Sequence, residues 1–270
     1  MSEPDPWRDL RAHTAARLAL GRSGSSLPTD EVLRFGLAHA QARDAVQRRL
    51  DADAFAALLQ DAGMRALQVS SAASDRTTFL LRPDLGRRLC ATSRELLASG
   101  EPDEAAAAEG NGLLLVFADG LSAPAIERNA LPMLDAIRRR APADWRIGPT
   151  IVATQARVAL GDEIGQILGA GIVAMLIGER PGLSSPDSLG IYLTWQPRLG
   201  RSDAERNCIS NIRPGGLGYD AAAHRLWWLC GQARQLRLTG VRLKDRSGRA
   251  ALTAEPEAPA IAGEPPAQPP

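Results

Sequence analysis

The run Ile172-Val-Ala-Met-Leu-Ile177 constrains this chain more than any other stretch. Its apolar residues follow one another without a polar break, and it is too short to cross a membrane. A buried strand fits it. The run stops at Gly178, and then come a carboxylate, a guanidinium and a Pro-Gly turn: Glu179, Arg180, Pro181, Gly182. In an open α/β sheet, ligands sit beyond the carboxyl ends of the strands. Glu179 therefore lies where a small molecule would dock, and much of the chain reads as the sheet that carries that loop.

The flanking sequence alternates strand and helix. Strands are predicted over Leu113–Ala118, Ile147–Thr154, Gly171–Gly178, Leu189–Trp195 and Cys208–Ile212. Helices are predicted over Ala125–Arg140, disturbed at Pro132, over Val158–Leu168, and over Asp220–Leu238. Asp162 and Glu163 in the first turn of the second helix suit its dipole. This rhythm specifies an α/β fold, a mostly parallel sheet with helices on both faces.

Residues 1–98 read as a smaller, mainly helical N-terminal region. An Ala- and Leu-rich segment ends near Gly21, and Gly21–Pro28 is a breaker cluster. Thr29 or Asp30 caps a helix with Leu33, Leu37 and Ala40 on one face, and a short helix follows over Asp53–Asp61. Arg65–Ser70 and Thr77–Leu81 read as a small strand pair. A helix is predicted from Arg82 to Leu97, with Pro83 in its first turn. Residues 99–112 form a linker, 113–243 a second domain, and 244–270 a disordered Pro- and Ala-rich tail.

Several classes of function are excluded. A net charge of +1 argues against a nucleic-acid partner. No apolar run reaches membrane-spanning length, and the N-terminus carries no signal pattern, so the chain reads as cytoplasmic. Cys90, Cys208 and Cys230 suit reduced thiols. There is no Walker A loop, no Gly-x-Gly-x-x-Gly opening a helix after a strand, and no Gly-x-Ser-x-Gly elbow. His13, His39 and His224 stand far apart, without metal-ligand spacing. A chain with this sheet and no recognisable nucleophile, base or metal set suits a ligand that brings its own chemistry.

Five stretches then occur in register: Leu81-Arg-Pro-Asp-Leu-Gly-Arg-Arg-Leu-Cys90, Asp119-Gly-Leu-Ser122, Gly161-Asp-Glu-Ile-Gly165, Gly178-Glu-Arg-Pro-Gly-Leu183 and Arg206-Asn-Cys-Ile-Ser-Asn-Ile212. Over roughly residues 10 to 235 the chain resembles the small-subunit family of ethanolamine ammonia-lyase. The resemblance implies a Rossmann-like cobalamin-binding domain over 113–243. It further implies a subunit of an adenosylcobalamin-dependent enzyme that turns ethanolamine into acetaldehyde and ammonia by radical chemistry. A large barrel subunit would hold the ethanolamine, and this non-catalytic chain would cover the other side of the corrin.

By the same resemblance Val158, Glu179 and Cys208 are the cofactor contacts, with no catalytic or metal-binding residue of the chain's own. Competing roles stand beside these: an ion pair with Arg180 or another arginine for Glu179, a small buried apolar position for Cys208. Helix capping is the reading for Asp119 and Ser122. The absence of an Asp-x-His-x-x-Gly triplet implies that the dimethylbenzimidazole base stays on cobalt. Some relatives carry a longer N-terminal extension that directs the enzyme to a bacterial microcompartment. Only a few residues precede Arg11–Leu20 here, so encapsulation is not implied. An independent nucleotide-using α/β enzyme and a pure assembly protein are the other two functional readings.

Overall fold

A computed structural model describes residues 7, 10, 11, 13, 14, 16–99 and 112–248. In chain order its helices and strands are α1 (Thr29–Gln47), α2 (Ala52–Asp61), β1 (Ala66–Ser70), α3 (Arg76–Leu81), α4 (Ala91–Ser99), β2 (Gly112–Ala118), α5 (Ala123–Arg139), β3 (Arg146–Thr154), α6 (Leu160–Ile167), β4 (Ile172–Gly178), β5 (Leu189–Trp195), β6 (Asn207–Ile212) and α7 (Tyr219–Leu236). The strands form one sheet in the order β1-β3-β2-β4-β5-β6. The first four are mutually parallel, and β5 and β6 run antiparallel to their neighbours. No helix among the described residues is long and apolar enough to cross a membrane.

The central strands show why unbroken apolar runs were needed. Successive side chains of a strand point to opposite faces. Leu113, Leu115 and Phe117 of β2 pack with residues of α2, α5 and α7, whereas Leu114, Val116 and Ala118 pack with residues of α4 and α6. Both faces are covered, so both sets of alternate positions must be apolar. β1 comes from the N-terminal region and is an edge of this same sheet, its Ser70 in register with Thr154 of β3.

Three expected elements differ. The strand predicted over Thr77–Leu81 is helix α3. Asp75 accepts from the Thr78 backbone N–H and hydroxyl, both at 2.9 Å, and this cap overrides the β preference of the two threonines. The helix predicted from Arg82 to Leu97 begins only at Ala91; before it lie a 3₁₀ turn, Leu85–Arg87, and extended residues bridging Ser71 to Leu89. The Cys90 N–H donates to Ser70 O and the Leu89 N–H to Glu163, so these groups are bound outside any helix. Residues 16–28, containing the end of the predicted first helix, are not helical. By contrast α5 continues through Pro132. Residues 100–111 of the predicted 99–112 linker and 249–270 of the predicted 244–270 tail lie outside the described residues.

Candidate functional site

The parallel strands all end on one edge of the sheet, and their exit loops meet there. Two glycines permit the closest approach. A Cβ on Gly120, whose φ is +52°, would lie 2.3 Å from the Gly178 carbonyl oxygen, and one on Gly178 would lie 2.1 Å from that of Ser122. The β2 and β4 exits are thus pressed backbone to backbone, joined by the Leu121 N–H donating to Gly178 O at 3.0 Å.

Beside this contact lies a cavity of about 410 Å³, lined by Gly120, Arg157, Val158, Glu179 and Tyr192 among others. Val158 and Glu179, predicted from distant parts of the chain, are brought to one wall. Cys208 is cross-strand to Tyr192, whose hydroxyl meets its thiol. Val158 and Glu179 therefore line one opening, and Cys208 reaches it only through Tyr192. Tyr192 stands among them and carried no signal in the sequence beyond its place in a strand. Half-burial pushes its phenol above the ordinary range, so it stays protonated.

Glu179 is fixed by its neighbours. Its Oε2 accepts from the Ser188 hydroxyl and, at 3.1 Å, from the Asn211 N–H. Its Oε1 lies 2.9 Å from where a Gly190 Cβ would stand, so the carboxylate rests on a strand position without a side chain. Among the described residues no ion pair joins it to Arg180 or another arginine. Cys208 is exposed, contrary to the buried alternative. The other free thiols are Cys90 and the buried Cys230.

Asp119 and Ser122 divide. Ser122 is the N-cap of α5, accepting from the Ala125 N–H at 3.3 Å, and it also donates to Pro186 O at 2.7 Å. Asp119 caps no helix. Its Oδ2 accepts from Arg76 and the Gln155 N–H, and its Oδ1 from the Ala156 N–H, each at 3.1 Å. This ties the β2 exit to the β3 exit. Burial pushes the Asp119 carboxyl up and the Arg76 guanidinium down, and each supplies the countercharge opposing the other's shift.

The motifs around Val158 also acquire reasons. The Arg157 guanidinium carbon stands 4.4 Å from the Phe79 ring centre, and the Arg157 backbone N–H donates to Gly86 O at 2.8 Å. A Cβ on Gly86 would approach Arg157 to 2.9 Å, so Gly86 lets the two loops nest. Below them Arg206 grips Asp162 through two bonds of 2.6 and 2.7 Å, with side chains 2% and 3% exposed. That pair fixes the start of α6, just after Val158, against the start of β6, just before Cys208. Glu163 accepts from the Leu89 N–H at 2.7 Å and from Arg94 at 2.8 Å. The sequence placed both carboxylates in the first turn of a helix; it gave no sign that each reaches across the fold. His13, His39 and His224 are not among the residues that line the cavity.

Residues 4–244 match the family described as ethanolamine ammonia-lyase light chain (EutC). Three similar proteins each bear the name ethanolamine ammonia-lyase small subunit. The one from Azotobacter vinelandii is 51% identical over 249 residues, covering 92% of this chain and 91% of the relative. That from Pseudomonas putida strain GB-1 is 51% identical over 254 residues, 93% and 92% of the two chains. That from Xanthomonas campestris pv. campestris strain B100 is 52% identical over 251 residues, 92% and 90%.

Proposed function

The chain belongs to the ethanolamine ammonia-lyase light-chain family, and from that membership we propose that its strand-exit loops form a lid over adenosylcobalamin. It is the small subunit of the lyase, and the name implies a large subunit as partner. In this reading the large subunit is a barrel that holds ethanolamine and carries out the deamination to acetaldehyde and ammonia. The observation that carries it is the meeting of Val158 and Glu179 in one cavity lining, with Cys208 against the lining residue Tyr192.

The residues fit a corrin edge, which presents amide arms around an apolar ring. Arg157 Nε is buried in this wall without a hydrogen-bond partner, a donor suited to an amide carbonyl. Glu179 accepts from amide N–H groups through lone pairs that Ser188 and Asn211 leave free. Val158 and the Tyr192 ring offer apolar contact. The cofactor, when bound, supplies the radical chemistry. The chain's own part is to hold the corrin rim, orient it and keep bulk water from that side. None of its histidines lines the cavity and no Asp-x-His-x-x-Gly triplet occurs, so no imidazole of this chain would take the place of the dimethylbenzimidazole base.

Co-expression with the large subunit tests this. A complex with adenosylcobalamin-dependent acetaldehyde release, and no activity from either chain alone, is the expected result. Full activity of the large subunit alone contradicts it. Electron paramagnetic resonance of the Co(II) state with ¹⁵N-labelled protein tests the base: splitting from a protein nitrogen contradicts retention.

A further inference from the structure

We propose that an arginine-lined groove along α6 binds a small polyanion, a molecule bearing two or more phosphate or carboxylate groups. The groove measures about 560 Å³ and is lined by Arg87, Arg88, Arg94, Asp162, Glu163 and Arg201 among others. It shares no lining residue with the Glu179 cavity. It runs from the first turn of α6 and the 3₁₀ turn down to Leu199–Arg201. Those last residues belong to the connection that leaves β5 at the amino edge of the parallel strands. There the Gln196 N–H donates to Gly171 O, just before β4, and the Leu199 N–H donates to Gln166 of α6, both at 2.8 Å.

The carboxylates in the wall are already matched. Asp162 is gripped by Arg206, and Glu163 by Arg94 and the Leu89 N–H. Asp84 accepts from Arg82 at 2.9 and 2.7 Å. Arg201 is paired with Glu205. Arg87 and Arg88 are exposed and make no ion pair or side-chain hydrogen bond among the described residues. Two neighbouring guanidinium groups thus stand without countercharge. Arg87 also acts on a third. Burial first, and then the like charge of Arg87, push the Arg157 guanidinium down. A bound anion relieves that repulsion.

The turn carrying the two arginines is pinned on several sides. Gly86 O accepts from the Arg157 N–H, Arg88 O accepts from the Ala72 N–H at 2.8 Å, and the Leu89 N–H is held by Glu163. A backbone set before binding leaves less to order when a ligand arrives. The opposite wall holds an unused donor. Arg201 binds Glu205 and the Trp195 and Gln196 carbonyls through its terminal nitrogens, while its Nε is buried without a hydrogen-bond partner. Such orphans are rare, and this one calls for an acceptor. Guanidinium forks match the paired oxygens of phosphates and carboxylates. Two unmatched positive charges ask for at least two negative ones, and the groove is too large for a lone inorganic ion to fill.

Calorimetric titration of the full chain with pyrophosphate and, separately, with citrate tests the site. No corrin is present, so the outcome is independent of the cofactor reading. At least one probe is expected to bind saturably, about tenfold or more tighter (~1.4 kcal/mol) than sulfate, a single dianion. The tighter probe assigns the class, phosphate or carboxylate. The double variant Arg87→Ala/Arg88→Ala is expected to weaken that binding by about tenfold or more. Both side chains are exposed and unbonded, so this variant keeps the fold. Arg225→Ala removes an exposed arginine of α7 that does not line the groove, and it is expected to bind like the parent. No saturable binding of either probe, sulfate binding as tightly, the double variant binding like the parent, or an equal loss in Arg225→Ala overturns the proposal.

Discussion

At the scale of single residues, the site depends on a carboxylate whose position is set by others. In the proposed corrin site, Glu179→Ala removes the acceptor for a corrin amide N–H. A stranded polar partner costs about 1–3 kcal/mol, so corrin affinity is expected to fall by that amount. Glu179→Gln keeps an acceptor and is expected to lose less. Titration of both variants in the complex, followed by corrin absorbance, checks the order; equal affinity of Glu179→Ala and the parent removes Glu179 from the site. The Asp162–Arg206 pair acts at one remove. Asp162→Asn leaves the buried Arg206 guanidinium with only the exposed Asp203, 3.3 Å away, as countercharge, and loss of a buried partner costs about 3–5 kcal/mol. Urea unfolding is expected to show a loss of that order. A loss below about 1 kcal/mol, the range of exposed pairs, contradicts the account of it as a buried clamp.

At the scale of elements, the exit loops differ in how firmly they are held. α5 buries nine residues, whereas α1, although longer, buries only Ala38 and Ala45 and exposes Val32, Leu33, Phe35 and Leu37. Helical stability in proteins comes mainly from such burial. Amide exchange in the isolated chain is therefore expected to be faster across α1 than across α5, and equal protection contradicts this. α3 depends on its cap. Hydrogen bonds from Thr78 and Ser74 hold the Asp75 carboxyl at about 2, below its ordinary 3.8. A depressed carboxyl contributes stability above its unfolded value and loses it as pH falls through the folded value. Protection of α3 is thus expected to drop between about pH 4 and pH 2, and Asp75→Asn is expected to remove that pH dependence. Persistence of the same titration in the variant assigns it to another group.

The same elements explain what the sequence made legible. Four of the five sheet strands from Leu113 onward were readable as largely apolar runs bounded by turn residues, whereas the last is short and carries Ser210 and Asn211; the positions of Val158, Glu179 and Cys208 followed from motif resemblance. α3 was missed because β-branched Thr77 and Thr78 resemble a strand, while the deciding bonds come from Asp75. The break before α4 was missed because Glu163, far along the chain, binds the Leu89 N–H. Asp119 looked like a cap, and only the β3 exit folded beside it supplies its donors. Tyr192 carries no motif; cross-strand register and burial in three dimensions single it out.

At the scale of the whole molecule, one sheet edge collects the exit loops of four parallel strands, and the partner subunit that the family name implies gives that edge a reason to stay open. The central claim is that this edge holds one side of the corrin. Its most direct test is an absorbance titration of adenosylcobalamin into the co-purified large and small subunits, run beside the large subunit alone and beside a complex carrying Glu179→Ala. The account predicts saturable corrin binding by the parent complex, weaker binding by the variant complex, and much weaker binding by the large subunit alone. Equal affinity in all three contradicts it.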